Sequence, residues 1–106
     1  MTRRMRKRVQ RRLMSAVMFG ETPHVAEVLV RAGADPNAES TGRYGDGLPL
    51  CAAACWGHTD AVQELLAAGA DPNAREDRGE GYTPSEWAAR GGWTATLALL
   101  QAAGAT

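Results

Sequence analysis

Apolar residues along this chain fall in short blocks at helical spacing, and almost every block is closed by glycine. The blocks come in pairs. A first helix is predicted to stop at Gly20, at Gly57 and at Gly91-Gly92, and a second at Gly33, Gly69 and Gly104. A glycine just past a helix supplies the left-handed residue that many helix ends require. The pattern predicts three antiparallel helix pairs. Val28, Leu29, Leu65, Leu66, Leu99 and Leu100 are expected to form the interior, and runs of alanine let helices approach closely. Thr83-Pro84-Ser85-Glu86 has the form of a capping box with proline at the first helical position. That accounts for Glu86 as a cap and leaves no need for it as a catalytic acid.

The connecting segments repeat. Gly33-Ala34-Asp35-Pro36-Asn37-Ala38 and Gly69-Ala70-Asp71-Pro72-Asn73-Ala74 lie 36 residues apart, and Gly104-Ala105-Thr106 begins 35 residues after the second. A period of this size signals a stacked array, in which each unit buries its apolar face on its neighbour. The residues upstream recur too. Leu48-Pro49-Leu50-Cys51-Ala52-Ala53-Ala54 and Gly57-His58-Thr59-Asp60 precede one copy; Thr83-Pro84-Ser85-Glu86-Trp87-Ala88-Ala89 and Gly92-Trp93-Thr94 precede the next. Over residues 13–106 the chain resembles the ankyrin repeat, whose signature runs G-x-T-P-L-H-x-A-A-x-x-G-H, then an apolar helix, then G-A-D-x-N-A.

The chain departs from that signature in places. The T-P-L-H tetrad reads Leu48-Pro49-Leu50-Cys51 and Thr83-Pro84-Ser85-Glu86, so both copies lack its histidine. The first copy lacks the tetrad. The period exceeds the ankyrin value of about 33, and the excess falls between Ala38 and Leu48 and between Ala74 and Thr83. The fingers are therefore expected to be long and hairpin-like. The resemblance implies an all-α ankyrin-repeat solenoid with repeats at 13–38, 39–74 and 75–106, preceded by an arm at 1–12. It also implies a scaffold or adaptor that binds a protein partner non-covalently, and no enzymatic activity.

Charge divides the chain. Residues 1–12 carry seven basic groups and no acid, whereas residues 13–106 carry five basic and twelve acidic groups, a net charge of −7. The basic arm has three readings: contact with nucleic acid or an anionic membrane, pairing with an acidic body, or an extension without a role. Met5, Val9 and Leu13 have helical spacing. Basic residues at a helix N-terminus oppose its dipole, so the arm is expected to fray, and its deletion is expected to leave the repeat fold unchanged. Specific nucleic-acid recognition is not expected, because the arm has no aromatic residue to stack on bases.

Arginine outnumbers lysine eleven to one, a bacterial-looking composition. Two cysteines do not make a disulfide scaffold, and no apolar stretch reaches transmembrane length. A cytoplasmic protein, monomeric on its own, is expected. A fragment of a longer array without independent function is the remaining alternative.

Chemistry-bearing residues are sparse. Cys51, Cys55 and His58 form C-x3-C-x2-H, a weak zinc pattern without an evident fourth ligand, and two structural thiols are the simpler reading. Ser15, Ser40 and Ser85 have no base in context. No cofactor or metal is expected.

The resemblance places the two residues before each first-helix stop in a concave groove: Met18 and Phe19, Cys55 and Trp56, Arg90 and Gly91. Burying Met18, Phe19 and Trp56 would contribute roughly 1.5–3 kcal/mol each, against an association cost of about 4–15 kcal/mol. Rim contacts must add to them. Arg43, Tyr44, Asp46, Arg78, Glu80 and Tyr82 on the fingers are the candidates. The partner-binding set is therefore Met18, Phe19, Trp56, Tyr44, Arg43, Tyr82 and Arg90.

Overall fold

The computed structural model describes residues 2–40 and 47–106, without the Arg78 side chain. Its helices are α1 (Arg3–Met18), α2 (Thr22–Val30), α3 (Pro49–Cys55), α4 (Thr59–Ala67), α5 (Glu76–Gly79), α6 (Pro84–Gly91) and α7 (Thr94–Ala102). The pairs α1/α2, α3/α4 and α6/α7 pack internally. First helices α1, α3 and α6 adjoin in one layer, and second helices α2, α4 and α7 in another. This is the all-α repeat stack expected from the sequence. The helices stop where the glycines predict, with positive φ at Gly20, Gly57 and Gly92 and at Gly33, Gly69 and Gly104.

The core is finer-grained than a column of leucines. Leu13, Ala16 and Val17 of α1 meet Val25 and Val28 of α2, then Leu50, Ala53 and Ala54 of α3 and Ala61, Val62 and Leu65 of α4, with Ala88 and Leu100 closing the far side. The alanines let α3 and α6 pack closely, and Ala53 and Ala88 are fully buried. Of the expected interior set, Val28, Leu29, Leu65 and Leu100 are buried, while Leu66 and Leu99 are only partly so. The reason is register. Counting from the stop glycines Gly57 and Gly92, Leu65 matches Leu100, but Leu66 matches Gln101 and Leu99 matches Glu64. Leu66 and Leu99 therefore stand on the flanks of the buried stripe.

The recurring loop motif has a hydrogen-bonded cause for each polar residue. The Asp35 carboxylate accepts from the Asn37 backbone N–H at 2.9 Å, and Asp71 does the same for Asn73 at 2.9 Å. These are Asx turns. Each freed Asn side chain then reaches the next loop. Asn37 donates to the Gly69 carbonyl and accepts from the Asp71 N–H; Asn73 donates to the Gly104 carbonyl and accepts from the Thr106 N–H. The first loop has no preceding Asn. Gln10 of α1 takes that place, donating to the Asp35 carbonyl and accepting from its N–H.

One expectation about the chain's irregular parts is corrected and another is refined. The arm does not fray: α1 runs unbroken from Arg3 through residue 12 into the first repeat. Its dipole is opposed by basic residues, and the four like-charge pairs at i, i+4 cost about 0.2–0.5 kcal/mol each. Against this stand the Thr2 hydroxyl capping the Met5 N–H at 3.2 Å, Val9 packed on the core, and the two hydrogen bonds between Gln10 and the Asp35 backbone. The second finger is hairpin-like at its base but carries helix as well. It contains the one-turn helix α5, closed by the Glu76 N–H donating to the Tyr82 carbonyl at 3.2 Å. The first finger is closed by a single antiparallel bridge, Ser40 to Gly47. Its tip, with Arg43, Tyr44 and Asp46, lies outside the described residues.

Candidate protein-binding surface

The ends of the first helices carry the surface. Phe19 and Trp56 are the C-cap residues of α1 and α3, each one step before a left-handed glycine. At that position the side chain has left the helical stripe that faces the core. Phe19 is 69 % exposed and Trp56 54 %, and both are large apolar groups facing water. Met18 and Cys55, one residue earlier, are half-buried beneath them. The aromatic pair formed among the described residues is Tyr82–Trp87, with centroids 5.1 Å apart in an edge-on arrangement, rather than Phe19–Trp56.

The third repeat builds the same place differently. Gly91 stands where Phe19 and Trp56 stand, and it leaves room for Trp93, a residue the groove reading omitted. The Trp93 ring covers both Gly57 and Gly91, so a Cβ at either would collide with the indole. Its Nε1–H donates to the Cys55 carbonyl at 2.9 Å. His58 makes the same contact one repeat earlier, over Gly20, with Nε2 donating to the Met18 carbonyl at 3.2 Å. Each ring thus satisfies an orphan carbonyl at the end of the preceding first helix. The signal for Trp93 was readable: it follows its stop glycine as His58 follows Gly57. Trp93 remains 41 % exposed and extends the aromatic surface.

Tyr82 and Arg90, two of the expected contact residues, meet each other. The Arg90 guanidinium lies 4.8 Å over the Tyr82 ring, a cation–π contact that holds two proposed contact residues together. Tyr82 is 39 % exposed. Glu80 is exposed beside it on the second finger.

Glu76 fixes the second finger and was not anticipated. One carboxylate oxygen accepts from the Leu48 N–H at 3.0 Å and the other from the Trp87 indole at 2.7 Å. It thereby ties finger two to the base of finger one and to α6. Burial pushes its pKa above the ordinary Glu value, with Glu39 and Asp77 adding to that, while the two donors pull the other way. Arg75 pairs with Glu86 at 2.9 Å and also donates to the Gly81 carbonyl. Glu86 completes the expected capping box with Thr83.

The cysteine–histidine pattern does not converge. The Cys51 thiol donates to the Tyr82 carbonyl at 3.6 Å, whereas His58 is turned to Met18. No cluster of three metal-ligating residues occurs among the described residues. Burial raises the Cys51 pKa strongly, so the thiol stays neutral. Both cysteines are free, Cys51 buried and Cys55 partly so.

Compared with protein-family models, residues 13–106 match ankyrin repeats in three copies. The chain belongs to the ankyrin-repeat family, and ankyrin repeats are protein–protein interaction modules. Among curated proteins, a 61-residue stretch covering 56 % of this chain is 46 % identical to E3 ubiquitin-protein ligase KEG of Arabidopsis thaliana. The stretch spans 4 % of that ligase, so the likeness concerns a small part of it.

Proposed function

We propose that this protein is an adaptor whose partner docks on the surface where α1 and α3 end, with finger two as its rim. The observation that carries this is the exposure of Phe19 and Trp56, at 69 % and 54 %, on equivalent caps of adjacent repeats. Large aromatics ringed by polar groups are the usual composition of a binding hot spot. The reading includes no catalytic step: Cys51 is neutral and committed to Tyr82, and Glu86 is committed to its cap. It also includes a cytoplasmic location, supported by two unpaired thiols of the kind a reducing compartment preserves.

The test is a titration of the isolated partner, recovered by affinity capture, against wild type and Trp56→Ala. The substitution is expected to weaken binding by about 1–2 kcal/mol or more and to leave the urea midpoint almost unmoved. Equal affinity of wild type, Phe19→Ala and Trp56→Ala for the partner would overturn the surface assignment.

A further inference from the structure

The seven cations of α1 outnumber the acids beside them, Glu21 and Glu39. All seven are exposed. Because residues 3–12 are helical, their charges have a geometry. Arg3, Lys7 and Arg11 stack at i, i+4, i+8, and Arg4, Arg8 and Arg12 stack beside them. Residues at this spacing share a helix face. The opposite face holds Val9 and Leu13 against the stack, and Gln10, on the flank of the Arg3–Lys7–Arg11 row, is bonded to the first loop. The result is a double ridge of six cations along about 12 Å of straight helix, at 1.5 Å per residue.

We propose that this ridge is a docking site for the phosphate backbone of a nucleic-acid duplex. Three observations choose this occupant. Five of the six groups are arginines, whose planar forks match phosphate oxygens in pairs. Met5 is the one exposed large apolar residue on residues 2–12, so the ridge lacks both the apolar anchor that a peptide needs and the apolar face that inserts into a bilayer. Glu21 lines the hollow of Arg8, Arg11 and Arg12, and Glu39 that of Arg3, Lys7 and Arg11; a flat anionic membrane would press on both acids, whereas a narrow strand of phosphates can follow the ridge between them. The body beyond residue 12 carries a net charge of −7 and repels a duplex, so only α1 faces it. The absence of aromatics in the arm bears on base stacking in single strands and not on phosphates of a duplex, which revises the expectation against nucleic acid. Recognition here is by charge and is independent of base sequence.

The experiment is fluorescence anisotropy of the full chain with a labelled 20-base-pair DNA duplex of arbitrary sequence, as a function of salt. Binding at micromolar protein in 50 mM salt is expected. Six contacts predict a log–log salt slope of about −5, and an affinity loss of about 10³-fold between 50 and 200 mM salt. Arg4→Gln/Arg8→Gln/Arg12→Gln, whose fold is checked by circular dichroism, should roughly halve the slope. Phe19→Ala and Trp56→Ala should leave duplex binding unchanged, which separates this site from the aromatic surface. Any one of three results would overturn the proposal: no binding at 50 mM salt, a slope indifferent to the triple substitution, or tighter binding to phosphatidylserine vesicles or polyglutamate than to the duplex.

Discussion

At the scale of single residues, the repeat tolerates some substitutions at a cost that can be measured. Ser85 stands where Leu50 stands one repeat earlier, and it is buried with its hydroxyl unpartnered. A buried polar group without a hydrogen bond costs about 1–3 kcal/mol in mutational terms, and alanine is a better helix former. Ser85→Ala should therefore raise stability by about 0.5–1 kcal/mol in urea denaturation; a loss would mean the hydroxyl has a partner. Glu76 makes the complementary case. Its folded pKa lies above the unfolded one, so the folded state holds the proton more tightly and ionisation is harder there. The contribution of the side chain is then fully present below the ordinary Glu pKa of about 4.3 and is lost as pH rises through the folded value. The stability gap between wild type and Glu76→Ala should be wider at pH 4 than at pH 7. Denaturation curves for both proteins across that range would show it, and a gap that widens with pH would refute the burial-dominated shift.

At the scale of elements, α1 is where structure and sequence part. The length of its apolar run marks Leu13 as a start, because only Met5 and Val9 continue the stripe upstream. What extends the helix to Arg3 is a side chain, Gln10, that supplies for the first loop the clamp Asn37 and Asn73 supply for the others. Gln10 has no place in the 36-residue period, so no periodicity could reveal it. Deleting residues 1–12 removes that clamp and the Val9 packing. It should lower the thermal midpoint by more than about 5 °C, the shift expected for roughly 1 kcal/mol in a domain of this size. Gln10→Ala alone should reproduce part of the drop, and an unchanged midpoint in both would return the arm to a solvated extension. The six other helices and every stop glycine were legible, because helix periodicity and glycine are local signals, with one exception. The one-turn α5 was not, since it is held by a contact between fingers through Glu76 rather than by its own four residues. For the candidate surface, Phe19, Trp56 and Tyr82 were legible from their places before a stop or on a finger. Arg90 was legible as a residue but not its stacking on Tyr82, which depends on the packing of α6 against the finger.

At the scale of the whole molecule, a stack of pairs holds each pair by its neighbours, and stability is approximately a sum over units and their interfaces. The pair α3/α4 is flanked on both sides in this chain, and α6/α7 on one. Matching positions show the difference. Ala54 is fully buried and Ala89 is exposed; Val62 is fully buried and Leu97 is partly so. Polar cover differs as well. Asp60, Gln63 and Glu64 of α4 become Ala95, Ala98 and Leu99 on α7, so the last helix has apolar residues where the central one meets water. Thr96, bonded to Thr59 at 2.9 Å, is a cross-repeat polar tie of α7. The third pair should consequently open on its own, below the free energy of global unfolding. Native-state hydrogen exchange of the 106-residue chain should show the amides of Leu97 and Leu100 exchanging through an opening at least about 1 kcal/mol cheaper than those of Val62 and Leu65, with urea dependence smaller than that of full unfolding. Identical opening free energies and identical urea slopes in α4 and α7 would instead mean that the Asn73 clamp, Thr96 and Trp93 bind the third repeat into one cooperative unit with the second.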